Sequence, residues 1–276
     1  MRSGRARTGW TRQWAPPSAV ALSVVVSFVL TGCSSTGTRA SASPSGAVTQ
    51  PAPAPVSPSA TPRFHLDATR FPTTAASALD LARASAAAPV SFGPDFVQRT
   101  PYESDPAHWP SLGPDCVWRQ QALPGDVLAS LTRYSRMPAA AGKGEVHSAA
   151  TVTVHRTVAQ ADWEMSGTLE QALRCPDQQL RETERITGLN SVGSGFGANE
   201  NTSADDYLME VGSYVNPALG SGKLPYYWAM ARLGPVTVAV AVEGGQNLGP
   251  NTLVTDLSQA MGTMESKVRT ALGASS

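Results

Sequence analysis

The chain has 276 residues, three cysteines and a formal net charge of zero, with 21 Lys+Arg against 21 Asp+Glu. Charged residues make up 15% of it, against roughly 25% in an average soluble protein, and the length allows one or two domains. A zero balance argues against a nucleic-acid binder, which carries a basic stripe, and 41% apolar content is too low for a polytopic membrane protein.

The chain opens on a targeting signal. Arg2, Arg5, Arg7 and Arg12 precede an uncharged apolar run of 14 residues, 17–30. A spanning helix needs about 20 such residues, so the run reads as the h-region of a signal peptide. It ends in Leu30-Thr31-Gly32-Cys33, a branched residue, two small ones and a thiol, which resembles the bacterial lipobox. There the cysteine receives a diacylglycerol and becomes the mature N-terminus. Residues 1–32 are thus read as a lipoprotein signal peptide and Cys33 as the lipidation site. This places the protein on the extracytoplasmic face of the cell membrane. Loss of 1–32 removes four arginines and no acid, leaving 17 basic and 21 acidic side chains.

Residues 33–62 hold one charge, Arg39, no aromatic residue, and repeated Ala-Pro and Ser-Pro steps. Such a segment cannot bury enough apolar surface to offset chain entropy and reads as a disordered tether. The remainder, 63–276, is read as one domain.

In that domain an alanine-rich helix is predicted over 73–88. Residues 89–115 carry six prolines, at 89, 94, 101, 106, 110 and 114, and are expected to form a long ordered loop or a set of short turns, because proline cannot serve a central strand. Strands are predicted to start at Cys116-Val117-Trp118 and to cover 127–136 and 146–156, with Val152 and Val154 on one face. A helix follows, opened by Thr157 and Gln160 at capping-box spacing, with Val158, Ala161, Met165, Leu169 and Ala172 as its apolar stripe. Further strands are expected at 178–186, 206–215, 226–233 and 236–243, and a loop over 188–205. The last two strands flank a Gly234-Pro235 turn, and Val236, Val238, Val240 and Val242 alternate with smaller residues. A final helix, 252–272, has the stripe Leu253, Leu257, Ala260, Met261, Met264 and Val268, with Gly273 as its stop. The pattern is α+β: a central, mainly antiparallel sheet packed with two or three helices.

With Cys33 assigned to lipid, Cys116 and Cys175 remain as an even pair in an exported protein, which predicts one disulfide. Neither has a second Cys or a His at ligand spacing, so no metal site and no cofactor are expected. The four histidines lie in no metal motif. His147 and His155 share a strand face but sit about 26 Å apart by strand rise. Gly193-Ser194-Gly195-Phe196-Gly197 lacks the spacing of a nucleophile elbow, and Gly220-Ser221-Gly222-Lys223 lacks the upstream glycine of a phosphate loop. The pairs Asp205-Asp206 and Glu182-Glu184 read as solvated faces, so no catalytic residue is assigned. Aromatic residues remain. Trp109, Trp118, Trp163, Tyr226, Tyr227 and Trp228 are either core or the walls of a ligand groove, and Trp109, Trp118, Tyr226 and Trp228 are taken as the ligand-binding candidates.

Four features fall in order: Cys116-x-Trp118; the valine strand at 150–156; Ala161-Asp162-Trp163 with Leu173-Arg174-Cys175; and Arg232-Leu233-Gly234-Pro235-Val236-Thr237-Val238-Ala239-Val240 before the last helix. This order resembles the extracellular sensor domain of actinobacterial membrane Ser/Thr kinases, the PknH-like sensor domain, which also occurs on free-standing lipoproteins. The resemblance covers roughly 63–272. It implies an α+β domain with a central antiparallel sheet, a disulfide and a ligand cleft. Kinase versions can carry more cysteine pairs than the single one here. Actinobacterial lipoproteins of PsbP/Mog1-like fold have a similar layout. The expected function is a non-catalytic binding or sensing module of the cell envelope, its partners the membrane and an envelope ligand or protein. The alternatives are an accessory protein-interaction lipoprotein and an envelope hydrolase.

Overall fold

The computed structural model describes residues 64–192 and 203–273, which belong to one compact unit, Val56–Ser276. The expected leader, Cys33 and the whole of the expected tether lie outside the described residues, as does most of the loop expected at 188–205.

Among the described residues, ten strands and three α-helices follow in the order α1 (Ala75–Ser85), β1 (Val97–Glu103), β2 (His108–Leu112), β3 (Trp118–Ala122), β4 (Val127–Met137), β5 (Val146–His155), α2 (Val158–Arg174), β6 (Gln178–Gln179), β7 (Arg185–Ser191), β8 (Asp206–Val215), β9 (Leu224–Leu233), β10 (Val236–Gly244) and α3 (Pro250–Leu272). Eight strands form one antiparallel sheet, ordered β1-β4-β5-β10-β9-β8-β7-β6, and β2-β3 is a separate hairpin. The fold is α+β with one disulfide, Cys116–Cys175.

The alternating valines of β10 explain how the sheet is covered. Val236, Val238, Val240 and Val242 are buried against Leu253, Leu257, Met261, Met264 and Val268 of α3, all fully withdrawn from water. Each such aliphatic side chain contributes about 1.5–3 kcal/mol through burial. Helix α1 covers the same face over β4 and β5. Its N-terminus carries a complete capping box between Thr74 and Ser77. The β9–β10 turn needs Gly234, which has φ +59° and whose amide donates to Asp205 Oδ2 at 2.6 Å. Gly273 ends α3 for a different reason: its φ is −67°, but a Cβ there would sit 2.5 Å from the Arg269 carbonyl oxygen.

Helix α2 lies on the opposite face, because the chain crosses from β5 to β6 at the far edge before returning through β7, β8 and β9 to β10. Thr157 caps it by accepting from the Gln160 amide at 3.2 Å, while Gln160 Oε1 is buried without a partner, so only half of the expected box forms. Ala161, Met165 and Ala172 are buried as expected, whereas Val158 and Leu169 of the predicted stripe are exposed.

Three expectations need correction. The proline-rich stretch 89–115 contains two strands, β1 and β2, each with one proline, Pro101 and Pro110. Both escape the proline rule because β1 is the sheet edge and β2 belongs to a two-stranded hairpin. Cys116 lies in the β2–β3 turn at φ +60°, not in a strand of the main sheet, so the disulfide ties the hairpin to the C-terminal end of α2. The strand expected at 178–186 is split into β6 and β7 by a turn at residues 180–184, where Leu180 donates to the Glu184 carbonyl.

Candidate functional site

Between the second sheet face, α2 and the β2-β3 hairpin lies a cleft of about 290 Å³. Its floor follows from strand alternation. The residues between the core valines point the other way: Thr237 and Ala239 on β10, Thr151 and Thr153 on β5, Tyr226, Trp228 and Met230 on β9, and Glu210 on β8. Helix α2 supplies Trp163, Glu164, Thr168 and Gln171, and the hairpin supplies Trp109 and Trp118. The four ligand-binding candidates, Trp109, Trp118, Tyr226 and Trp228, therefore line one cavity although they come from three strands. Trp163 lines it too, at the rim, 76% exposed. Tyr227 points to the opposite face and packs with the α1/α3 core.

Most polar groups in the cleft are committed to one another. The Trp118 indole donates to Gln178 Oε1 at 2.8 Å, and the Gln178 amide donates to the Cys175 carbonyl at 3.1 Å, so the hairpin wall is fixed beside the disulfide. The hydroxyls of Thr132 and Thr151 pair at 2.8 Å, and those of Ser130 and Thr153 at 3.1 Å. Thr237 Oγ1 donates to Glu164 Oε2 at 2.6 Å, and the same carboxylate oxygen meets His155 Nε2 at 2.7 Å.

Glu210 differs. It is 4% exposed, and its carboxylate accepts one hydrogen bond, from Ser191 Oγ at 3.3 Å. Burial pushes its pKa up to about 7, with Ser191 opposing weakly. The sequence reading missed this residue. Strand alternation puts Glu210 on the face of Leu208 and Tyr214 in β8, but that this face is buried follows only from the tertiary packing.

Beyond Trp118 and Pro110, which border both, a larger groove of about 600 Å³ opens over β1, β4 and the hairpin. Its lining mixes Arg99, Arg119 and Arg181 with Glu103 and Asp105 around Tyr134. Arg119 is paired with Asp115 at 2.6 Å and Arg181 with Glu184. Tyr134 is held above its usual pKa by burial, against the pull of Arg181 and Arg99.

His147 meets Glu145 at 2.8 Å through Nε2, and burial lowers its pKa despite that carboxylate. Among the described residues no group of three or more His, Cys, Asp or Glu is placed to hold a metal ion, and no helix is long and apolar enough to cross a membrane.

No family model and no curated protein matches the chain. Among solved structures, an uncharacterised protein (Rv0999 ortholog) from Mycobacterium smegmatis aligns at 11% identity over 63% of this chain and 92% of its own, with a TM-score of 0.29.

Proposed function

We propose that the protein is a lipid-anchored lipoprotein of the extracytoplasmic membrane face whose folded domain binds a ligand without catalysing a reaction. The observation that supports this reading is the convergence of Trp109, Trp118, Tyr226 and Trp228 on one cleft. Large aromatic walls with a few oriented polar groups are the ordinary make-up of a small-molecule site. The lipobox at Cys33 and the tether support the location. The ordered run of motifs from Cys116 to Val240 supports a sensor domain of the PknH-like kind. The cleft is lined by neither cysteine nor histidine, and the hydroxyls of Thr151, Thr153 and Thr237 are bonded to neighbouring side chains and that of Thr168 to the Glu164 carbonyl, which favours binding over nucleophilic chemistry.

Thermal unfolding of the purified full chain against a panel of envelope components tests the proposal. A ligand at 100 times its Kd stabilises by about 2.7 kcal/mol, a rise in Tm of about 5–10 °C for a domain of this size. Trp228→Ala and Trp109→Ala are expected to abolish that rise. A panel with no stabilising member removes the support for the reading. A second reading, docking onto an envelope protein, is favoured by the exposed Trp163, Leu169 and Leu173 along α2. Crosslinking in cells from those positions distinguishes it through a single dominant protein partner.

A further inference from the structure

Arg99, Arg119 and Arg181 line the groove together with Glu103, Asp105 and His108, whereas no Lys, Arg or His lines the cleft, where Glu164 and Glu210 are the carboxylic acids. Glu164 is satisfied by His155 and Thr237. Glu210 is not: it is as buried as a core residue, and among the described residues no cation pairs with it. A buried carboxylate without a counter-charge is costly and is retained only with a compensating partner or a proton.

The surroundings of Glu210 indicate what kind of partner fits. Trp228 is its cross-strand neighbour in the β8–β9 ladder, a separation of about 5 Å between Cβ atoms. Trp109 and Trp118 form the facing wall. The face of an indole ring attracts a cation through its quadrupole, more strongly as water is excluded. At about 290 Å³ the cavity suits a small head group rather than a long chain.

We propose that the cleft is a receptor for an organic cation, whose ammonium group sits against the Glu210 carboxylate and whose apolar substituents lie on Trp228, Trp109 and Trp118. This rests on the reading of the cleft as a ligand site. No covalent bond changes. The cation enters as Glu210 gives up its carboxyl proton to the solvent, so the charge in the cavity stays balanced. The titratable groups that face this part of the cavity are Glu164 from α2 and Tyr226 from β9, with Glu243 of β10 next to Tyr226. All three are acids, so none supplies the missing positive charge. Binding is therefore coupled to proton release below neutral pH, where burial keeps Glu210 protonated in the empty cleft.

The test titrates the full chain with choline, with its neutral isostere 3,3-dimethylbutan-1-ol, and with glucose, following the indole N–H resonances of Trp109, Trp118 and Trp228 by NMR. Choline is expected to saturate these shifts, the isostere to bind at least about tenfold more weakly, and the choline Kd to rise about tenfold per pH unit below the Glu210 pKa. Glu210→Gln, which keeps the side-chain shape, is expected to erase both the choline preference and the pH dependence. Glu210→Asp retains some of each. Equal binding of choline and the isostere, or shifts from glucose alone, overturns the cation and leaves the cleft reading standing. Indole resonances unmoved by all three probes overturn both.

Discussion

His155 Nε2 and Glu164 Oε2 meet at 2.7 Å, joining the end of β5 to the first turns of α2, and Thr237 of β10 donates to the same oxygen at 2.6 Å. His155 is 2% exposed, and its Nδ1 has no partner. One carboxylate thus holds the helix that roofs the cleft onto two strands of its floor. Glu164→Ala strands the remaining ring nitrogen and the Thr237 hydroxyl, at a cost of about 2–3 kcal/mol. Glu164→Gln keeps an acceptor for Thr237 and is expected to lose less than half as much. Urea denaturation checks both. An alanine variant within about 0.5 kcal/mol of wild type shows that the helix is held elsewhere.

The Cys116–Cys175 bridge closes a loop of 59 residues. In the chain-entropy model a loop of that length is stabilised by roughly 4 kcal/mol. Replacing both cysteines with alanine is expected to lower stability by that order. Because the hairpin carries Trp109 and Trp118, the same change is also expected to loosen the cleft wall. Iodide quenching of tryptophan fluorescence measures the second effect: unchanged quenching means that the Trp118–Gln178 bond holds the hairpin without the bridge.

Glu210 also makes stability depend on pH. Its folded-state pKa is raised to about 7, against an ordinary value of 4.5. Between these values the folded protein binds more protons than the unfolded chain, so stability falls as pH rises. The contribution is fully present below the unfolded pKa, is lost as pH rises through the folded one, and amounts to roughly 3 kcal/mol. Glu210→Gln is expected to flatten that slope and to be the more stable protein at pH 8. The variant keeps the slope that comes from Glu243, which burial and Glu184 also raise to about 7. Denaturation curves from pH 4.5 to 8 decide it: parallel profiles for the two proteins would falsify the assignment of the slope to Glu210.

Cys33→Ala is expected to abolish labelling by a radioactive or clickable fatty acid and to leave the precursor uncut or the protein released from the membrane. Labelling that persists in the variant places the acyl chain on another residue.

The α+β class, the hairpin around Gly234-Pro235, the α3 stripe and the cysteine pairing are all legible along the chain, because each follows from local periodicity or a count. Val236 to Val242 alternate regardless of what covers them, and Leu253 to Val268 recur at helical spacing whatever they pack against. The two strands in the proline-rich stretch are not legible. Whether a strand tolerates proline depends on its place in the sheet, and edge positions are settled only when distant strands pair.

The site divides along the same line. By itself the sequence determined which residues are aromatic and which alternate positions share a face, and so identified Trp109, Trp118, Tyr226 and Trp228 as candidates. Only the tertiary structure decided that these four line one cavity and that Tyr227 lies on the other face. Only it decided that Glu210 lies buried there without a counter-charge. Burial and pairing are properties of side chains brought together from β2, β3, β8, β9 and α2. A carboxylate's desolvation depends on these neighbours, which are distant along the chain.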